Sequence, residues 1–221
     1  MAEKPRQIEG SGDLPPIPTT IIPQQDIDLA VESALRQRKV ERDPEGRLIL
    51  YHATTARGYA MIEKDSSLKP ASKTGSRAWR LEHETENEKT GNIYLAAKKS
   101  SDNVADTMQR GLGGTIYVLE VHVDQNGLVP DQDSHAKTWY ESLEWLGTCA
   151  YKGDIDNFKL IDKLDFKLSE QDGLRYRFEL SSTEEGSAEE KKVIDKWEEI
   201  KKRKELEEQE EVKRILNQES K

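Results

Sequence analysis

Tyr51-His52-Ala53-Thr54 closes the apolar run Leu48-Ile49-Leu50, and about forty residues later Asn92-Ile93-Tyr94-Leu95-Ala96 has the pattern of a second strand. An imidazole and a phenol therefore stand at the ends of two strands. Further on, Trp139-Tyr140-Glu141-Ser142-Leu143-Glu144 supplies carboxylates. A ring to stack on, an imidazole to hold hydroxyls and an anion to steady a developing positive charge are what a protein needs to grip a flat ligand and labilise a bond to it.

Those side chains must be positioned by regular elements, and the chain offers them in a mixed order. Residues 1–25 contain Gly10, Gly12, Pro15, Pro16, Pro18 and Pro23 without apolar periodicity, which predicts a disordered arm. Asp26 is placed to cap a helix carrying Ile27, Ala30, Val31, Ala34 and Leu35 at helical spacing, ending before the turn Asp43-Pro44-Glu45-Gly46. Strand 48–53 follows, then a short helix over 56–62. The polar stretch 66–91, with Pro70, Gly75, Arg77, Trp79 and Arg80, is long for a loop inside a domain and is expected to be functional or disordered. Beyond strand 92–97, Ser100-Ser101-Asp102 predicts the cap of a helix stopped by Gly111 and Gly113-Gly114. Further strands are expected at 115–123, 149–152, 158–168 and 174–180. From 183 a Glu/Lys-rich tract, with oppositely charged residues three or four apart, predicts a solvated helix with a broken apolar stripe at Val193, Trp197, Ile200, Val212 and Ile215.

Composition narrows the class. Apolar content is 34% and charged content 35%, which implies that part of the chain lies outside a packed core. The net charge of −9 argues against generic nucleic-acid affinity, which rests on Lys and Arg neutralising phosphates. Cys149 is the single cysteine, so no intrachain disulfide framework can form, and a reducing, cytoplasmic location is the default expectation. No apolar run is long enough to cross a membrane, and no membrane partner is expected. His83, His122 and His135 share no ligand spacing, so no metal is expected. Gly111-Leu112-Gly113-Gly114 precedes a strand and lacks the Lys-Ser/Thr of a phosphate loop.

The order Tyr51-His52-Ala53-Thr54, Ile93-Tyr94-Leu95, a Glu-bearing segment and then Cys149-Ala150-Tyr151-Lys152-Gly153-Asp154-Ile155 resembles the His–Tyr–Glu branch of the ADP-ribosyltransferases, which includes diphtheria-toxin-like and poly-ADP-ribose-polymerase-like domains. The likeness spans roughly 48–168. It implies an α+β fold with split, largely antiparallel sheets around an NAD cleft, flanked by the disordered arm and the charged C-terminal helix. The catalytic domain would occupy 26–182 and the helical tail 183–221. The resemblance further implies that His52 bonds the NAD ribose with Thr54 nearby, that the Ala53 backbone contacts the nicotinamide amide, and that Tyr94 stacks on the nicotinamide ring. Glu144, with Glu141 as the other candidate, would be the catalytic carboxylate. Arg77 and Arg80 would pair with the pyrophosphate in bidentate forks, and Trp79 would pack over it.

One departure stands out. In polymerase-like members the Glu opens the closing strand, whereas Gly147-Thr148-Cys149 occupies that entry here. Some relatives of the rifampicin-modifying type use Asp, and Asp131 or Asp133 are the equivalents by order. The expected activity is transfer of ADP-ribose from NAD to an unidentified acceptor, whether protein, nucleic acid or small molecule, with release of nicotinamide. A toxin and a regulatory modifier fit equally. The alternatives are an NAD-dependent RNA 2′-phosphotransferase, and a non-catalytic interaction module whose charged C-terminal helix binds a protein partner.

Overall fold

Alternating apolar residues that must be buried on one face make strands, and the described residues, 23–70, 73 and 91–218 of a computed structural model, hold six of them among six helices. In chain order these are α1 (Gln24–Arg38), β1 (Leu48–Thr55), α2 (Ala56–Asp65), β2 (Asn92–Ala96), α3 (Lys98–Leu112), β3 (Gly114–Val123), β4 (Leu128–Val129), α4 (Trp139–Leu146), β5 (Thr148–Lys152), β6 (Phe158–Lys167), α5 (Glu170–Ser181) and α6 (Ala188–Asn217). The fold is a mixture of helix and open antiparallel sheet. Among the described residues no helix is long and apolar enough to cross a membrane.

The strands form one hydrogen-bonded sheet in the order β4-β5-β2-β1-β3-β6, rather than two separate sheets. Its pairing is uneven. β1 and β3 stay in register from Leu48↔Val123 to Thr55↔Ile116, and β2 pairs β5 from Asn92↔Lys152 to Ala96↔Thr148. Between β1 and β2 the register consists of one pair, Tyr51↔Ala96. The sheet is thus two three-stranded halves joined at a point.

Packing explains how so slender a join holds. Leu48 and Leu50 of β1, Ile93 and Leu95 of β2, Leu119 and Val121 of β3 and Cys149 of β5 enter one buried cluster, closed by Val31 and Leu35 of α1, Ile62 of α2 and Leu143 of α4. A smaller cluster lies on the other face, where Ala105 and Met108 of α3 pack on Ile116 and Val118, with Ala53 and Leu164 against it. Both halves share the first cluster; the strand members of the second come from β1, β3 and β6.

Four elements differ from the sequence expectation. α1 starts at Gln24 with Pro23 at its N-cap, so Asp26 lies in its first turn, where the helix dipole favours an anion, rather than capping it. α3 starts at Lys98, so Ser100 and Ser101 lie inside it, and Ser101 Oγ donates back to the Lys98 carbonyl. The strand expected at 174–180 is the helix α5. Ser169 caps it by accepting from the Asp172 amide, and Glu170 and Asp172 sit in its first turn, where the helix dipole favours anions. The charged tail begins its helix at 188, after Ser187, whose hydroxyl accepts from the Glu190 amide.

That last helix is also less solvated than its composition implies. Trp197 is 7% exposed, packs on Tyr176 of α5, and donates its indole N–H to Glu179 at 3.1 Å. Farther along, Glu208 accepts from the Thr115 amide (3.0 Å) and hydroxyl (2.6 Å), and Glu211 pairs with Arg57 of α2. α6 is therefore sealed onto the domain by a buried aromatic at one end and, farther along, by an ion pair and two hydrogen bonds.

The entry to β1 is fixed electrostatically. The buried Asp43 carboxylate accepts from the Glu45 and Arg47 amides, from Arg47 Nε (2.7 Å) and from His122 Nδ1 (2.8 Å). Burial alone would raise its pKa, but the hydrogen bonds from His122 and Arg47 outweigh that and hold it well below the usual carboxylate range. A carboxylate with a depressed folded pKa stabilises the fold above its unfolded pKa of about 4, and that stability is lost as pH falls through the folded value. Asp43→Asn is expected to lower the Tm at pH 7 and to flatten the acid dependence of Tm below pH ~4, read by thermal melts across pH. Trp197→Ala is expected to cost about 3 kcal/mol in urea unfolding, as for other large buried aromatics; an effect below about 1 kcal/mol would mean that the tail is not docked.

Candidate functional site

His52, Ala53 and Thr54 lie where β1 parts from β2. Continued two residues past Tyr51↔Ala96, the register would set Ala53 opposite Tyr94, but the ladder stops short of it. The Tyr94 carbonyl instead lies 2.9 Å from His52 Nδ1. A carbonyl can only accept, so Nδ1 carries the proton and Nε2 keeps its lone pair. A side-chain N–H thus stands in for a main-chain donor at the point of separation.

Backbone direction adds to this. The Ile49 amide bonds Glu41 and the facing His122 amide bonds Asn157, so Ile49 turns away from β3. Residues two apart on a strand turn the same way, which directs the Ala53 amide and carbonyl toward β2, beyond the end of the paired register. Ile93 and Leu95 are buried in the larger cluster, so Tyr94 projects from the other face of β2, where it is 45% exposed. By the continued register Ala53 and Tyr94 share that face. His52 follows Leu48 and Leu50 and belongs to the opposite one. The structure therefore brings the imidazole to the tyrosine's main chain, and the tyrosine ring to the side of Ala53.

Electrostatics keep the imidazole neutral. Burial lowers the His52 pKa below its ordinary value, and the hydrogen bond to Tyr94 opposes that shift only in part. Thr54 is buried opposite Tyr117, in the stack that Tyr117 makes with Tyr59 of α2 (centroids 4.3 Å apart). A Cβ on Gly58 would stand 2.1 Å from Thr54 Oγ1, so the first turn of α2 seats on Thr54 only through glycine.

The carboxylates have different fates. Glu141 is the N3 residue of α4 and closes a capping box with Thr138: its Oε2 accepts from the Lys137 amide (2.9 Å) and the Thr138 amide (3.1 Å). That is a structural role with defined partners. Glu144 is half-buried on the same helix, and its carbonyl accepts from Arg38. Asp131, in contrast, is buried at the head of β5. Its Oδ2 accepts from Thr148 Oγ1 at 2.6 Å, its Oδ1 from the Asp133 amide at 3.1 Å, and its own amide donates to Ser142 Oγ, which donates in turn to the Thr148 carbonyl. Thr148 faces Ala96, the residue that makes the single β1–β2 pair. Order along the chain offered Asp131 as one of several acids; the fold places this one at the entry to the closing strand.

Arg77, Trp79 and Arg80 lie outside the described residues. The stretch before them is more structured than a polar loop, since Leu68 is buried and bridges Ile155. Cys149 is buried and its thiol is pushed up by burial, with the Asp131 charge adding to the shift. It is a core residue. No family model, curated protein or solved structure matches the chain.

The imidazole makes a sharp expectation. In ¹⁵N-detected NMR His52 should be the Nδ1–H tautomer at pH 7 and titrate below about 6.5, the free-histidine value. Because the folded pKa is depressed, this residue contributes stability above that value that is lost on acidification. A midpoint at or above 6.5 would mean that burial does not outweigh the Tyr94 hydrogen bond.

Proposed function

We propose that the gap between β1 and β2 binds NAD and that the protein transfers its ADP-ribose to an acceptor, releasing nicotinamide. The observation that carries this reading is the ladder's end at Tyr51↔Ala96, where His52 Nδ1 meets the Tyr94 carbonyl and the Ala53 main chain faces the gap, with the Tyr94 ring on the Ala53 face and the imidazole on the other. Ala53 and Tyr94, sharing a face, would hold the nicotinamide: a main-chain donor and acceptor for its amide and an exposed ring for stacking. His52 Nε2 is the atom left to meet a ribose hydroxyl.

The chemistry asks little proton transfer of the protein. When the bond between the ribose C1′ and the pyridinium nitrogen breaks, its electrons neutralise the nitrogen and nicotinamide leaves uncharged; the acceptor adds to C1′ and gives up its proton. An anion near C1′ stabilises the oxocarbenium-like centre. For that role we assign Asp131, acting with Thr148 at the head of β5, ahead of Glu144, and set Glu141 aside because its carboxylate closes the cap of α4. The acceptor is left open.

The test is release of nicotinamide from NAD by the purified chain. His52→Ala and Tyr94→Ala should each lower the rate at least ~100-fold, about 2.7 kcal/mol, with circular dichroism unchanged. Asp131→Asn should lower kcat far more than it raises KM, whereas Glu144→Gln should do neither. If no nicotinamide appears and calorimetry records no heat with NAD, the reading is wrong; if Glu144→Gln alone abolishes turnover, the carboxylate assignment is.

A further inference from the structure

We propose that the groove at the N-terminal end of α3 is a second binding site, for the phosphate group of a small phosphorylated ligand. The groove, about 430 Å³, takes its polar lining from Arg38, Ser100, Asn103, Thr107 and Thr148, and none of the residues that line it is acidic. In a chain with 43 acidic against 34 basic residues, such a surface selects for an anion.

Three donors of different origin face this space. The first is the Arg38 guanidinium. Its Nε and Nη2 donate to the Glu144 and Trp145 carbonyls at the end of α4, and no carboxylate pairs with it among the described residues. Carbonyl oxygens carry only partial charge, so the unit positive charge is left without a counter-ion. The second is Ser100, 9% exposed, whose hydroxyl lines the groove and has no hydrogen-bond partner among the described residues. Arg38 Nη1 and Ser100 Oγ both press on Gly147: a Cβ there would stand 3.3 Å from one and 2.0 Å from the other, so only glycine lets them approach. The third is the side-chain amide of Asn103, exposed one turn on from Ser100 along the same face of α3 and lining the groove.

A tetrahedral anion with three oxygens suits a guanidinium, a hydroxyl and a carboxamide approaching from separate directions better than a planar carboxylate does. The apolar Val104 and Leu146 in the same lining leave room for the organic group that bears the phosphate. The Asp131 carboxylate lies behind Thr148, whose hydroxyl donates to it, and does not line the groove. Neither His52 nor Tyr94 lines it, and Thr148 is the residue it shares with the carboxylate assigned to the NAD chemistry.

Titration of the ¹⁵N-labelled full chain with inorganic phosphate at constant ionic strength tests this. Saturable shifts at the Ser100, Asn103 and Thr107 amides are expected, with acetate giving none. Arg38→Gln should weaken binding at least tenfold, but it also removes contacts to α4, so Asn103→Asp is the companion variant. Asn103 is exposed and an Asp near a helix start is well tolerated, so that variant should keep its melting temperature and lose at least tenfold in affinity. His52→Ala should leave phosphate binding intact. Unsaturable shifts scattered over surface lysines, unchanged affinity in Asn103→Asp, or loss of binding in His52→Ala would each overturn the proposal.

Discussion

A buried sheet cannot leave its main-chain groups unpaired without cost, and this one interrupts its ladder in the middle. The hydrogen bond from His52 Nδ1 to the Tyr94 carbonyl is what makes the interruption tolerable. It satisfies the β2 carbonyl nearest the break and fixes the imidazole tautomer. It also holds β2 at a distance that leaves the Ala53 edge of β1 facing a gap rather than a strand. On the face below, Leu48 and Leu50 still pack with Ile93 and Leu95, so hydrophobic contact supplies the cohesion that main-chain pairing does not. The two halves are joined by a core and separated at an edge.

The opposite face follows from the course of one helix. α3 leaves the end of β2 and crosses to β1 and β3, where Ala105 and Met108 find Ile116 and Val118. It therefore covers the β1-β3-β6 half and leaves Tyr94 of β2 exposed, with the polar lining of the groove at its own first turns. Apolar cover on one half and polar exposure on the other are two results of a single crossing.

Much of this was legible in the pattern of residues. Strand alternation located β1, β2, β3, β5 and β6 to within two residues, because burial on one face imposes a period of two that few other constraints mimic. The placement of His52 and Tyr94 on neighbouring strands also followed from order. What periodicity could not give was helix starts and the fate of carboxylates. Ser169-Glu170-Gln171-Asp172 carries a capping signature, yet Leu174, Tyr176, Phe178 and Leu180 alternate like a strand; the cap and the docking of Tyr176 on Trp197 won, and Phe178 was left 74% exposed. Thr138 and Glu141 likewise stand three apart, a spacing that identifies a cap once the helix start is known. Without it, Glu141 looks like any acid near a site. Arg38 was hidden for another reason: its partners, the Glu144 and Trp145 carbonyls, are main-chain atoms more than a hundred positions away, and no local pattern records them.

The same reasoning separates the three acids. A carboxylate that accepts two amides at the start of its own helix contributes to that helix and is held there by geometry. One on the helix surface has solvent for a partner and no fixed direction. Asp131 differs from both, because its partners, the Thr148 hydroxyl and the Asp133 amide, lie on the two segments that bracket α4, and Ser142 of that helix ties the Asp131 amide to the Thr148 carbonyl. It is therefore oriented by the fold itself. Thr148 stands opposite Ala96, and Ala96 opposite Tyr51, so β5 and β2 lie between Asp131 and β1. A buried charge is expensive wherever it sits. The Thr148 hydroxyl and the Asp133 amide offset that cost, and the same contacts tie the head of β5 to the segment that precedes α4.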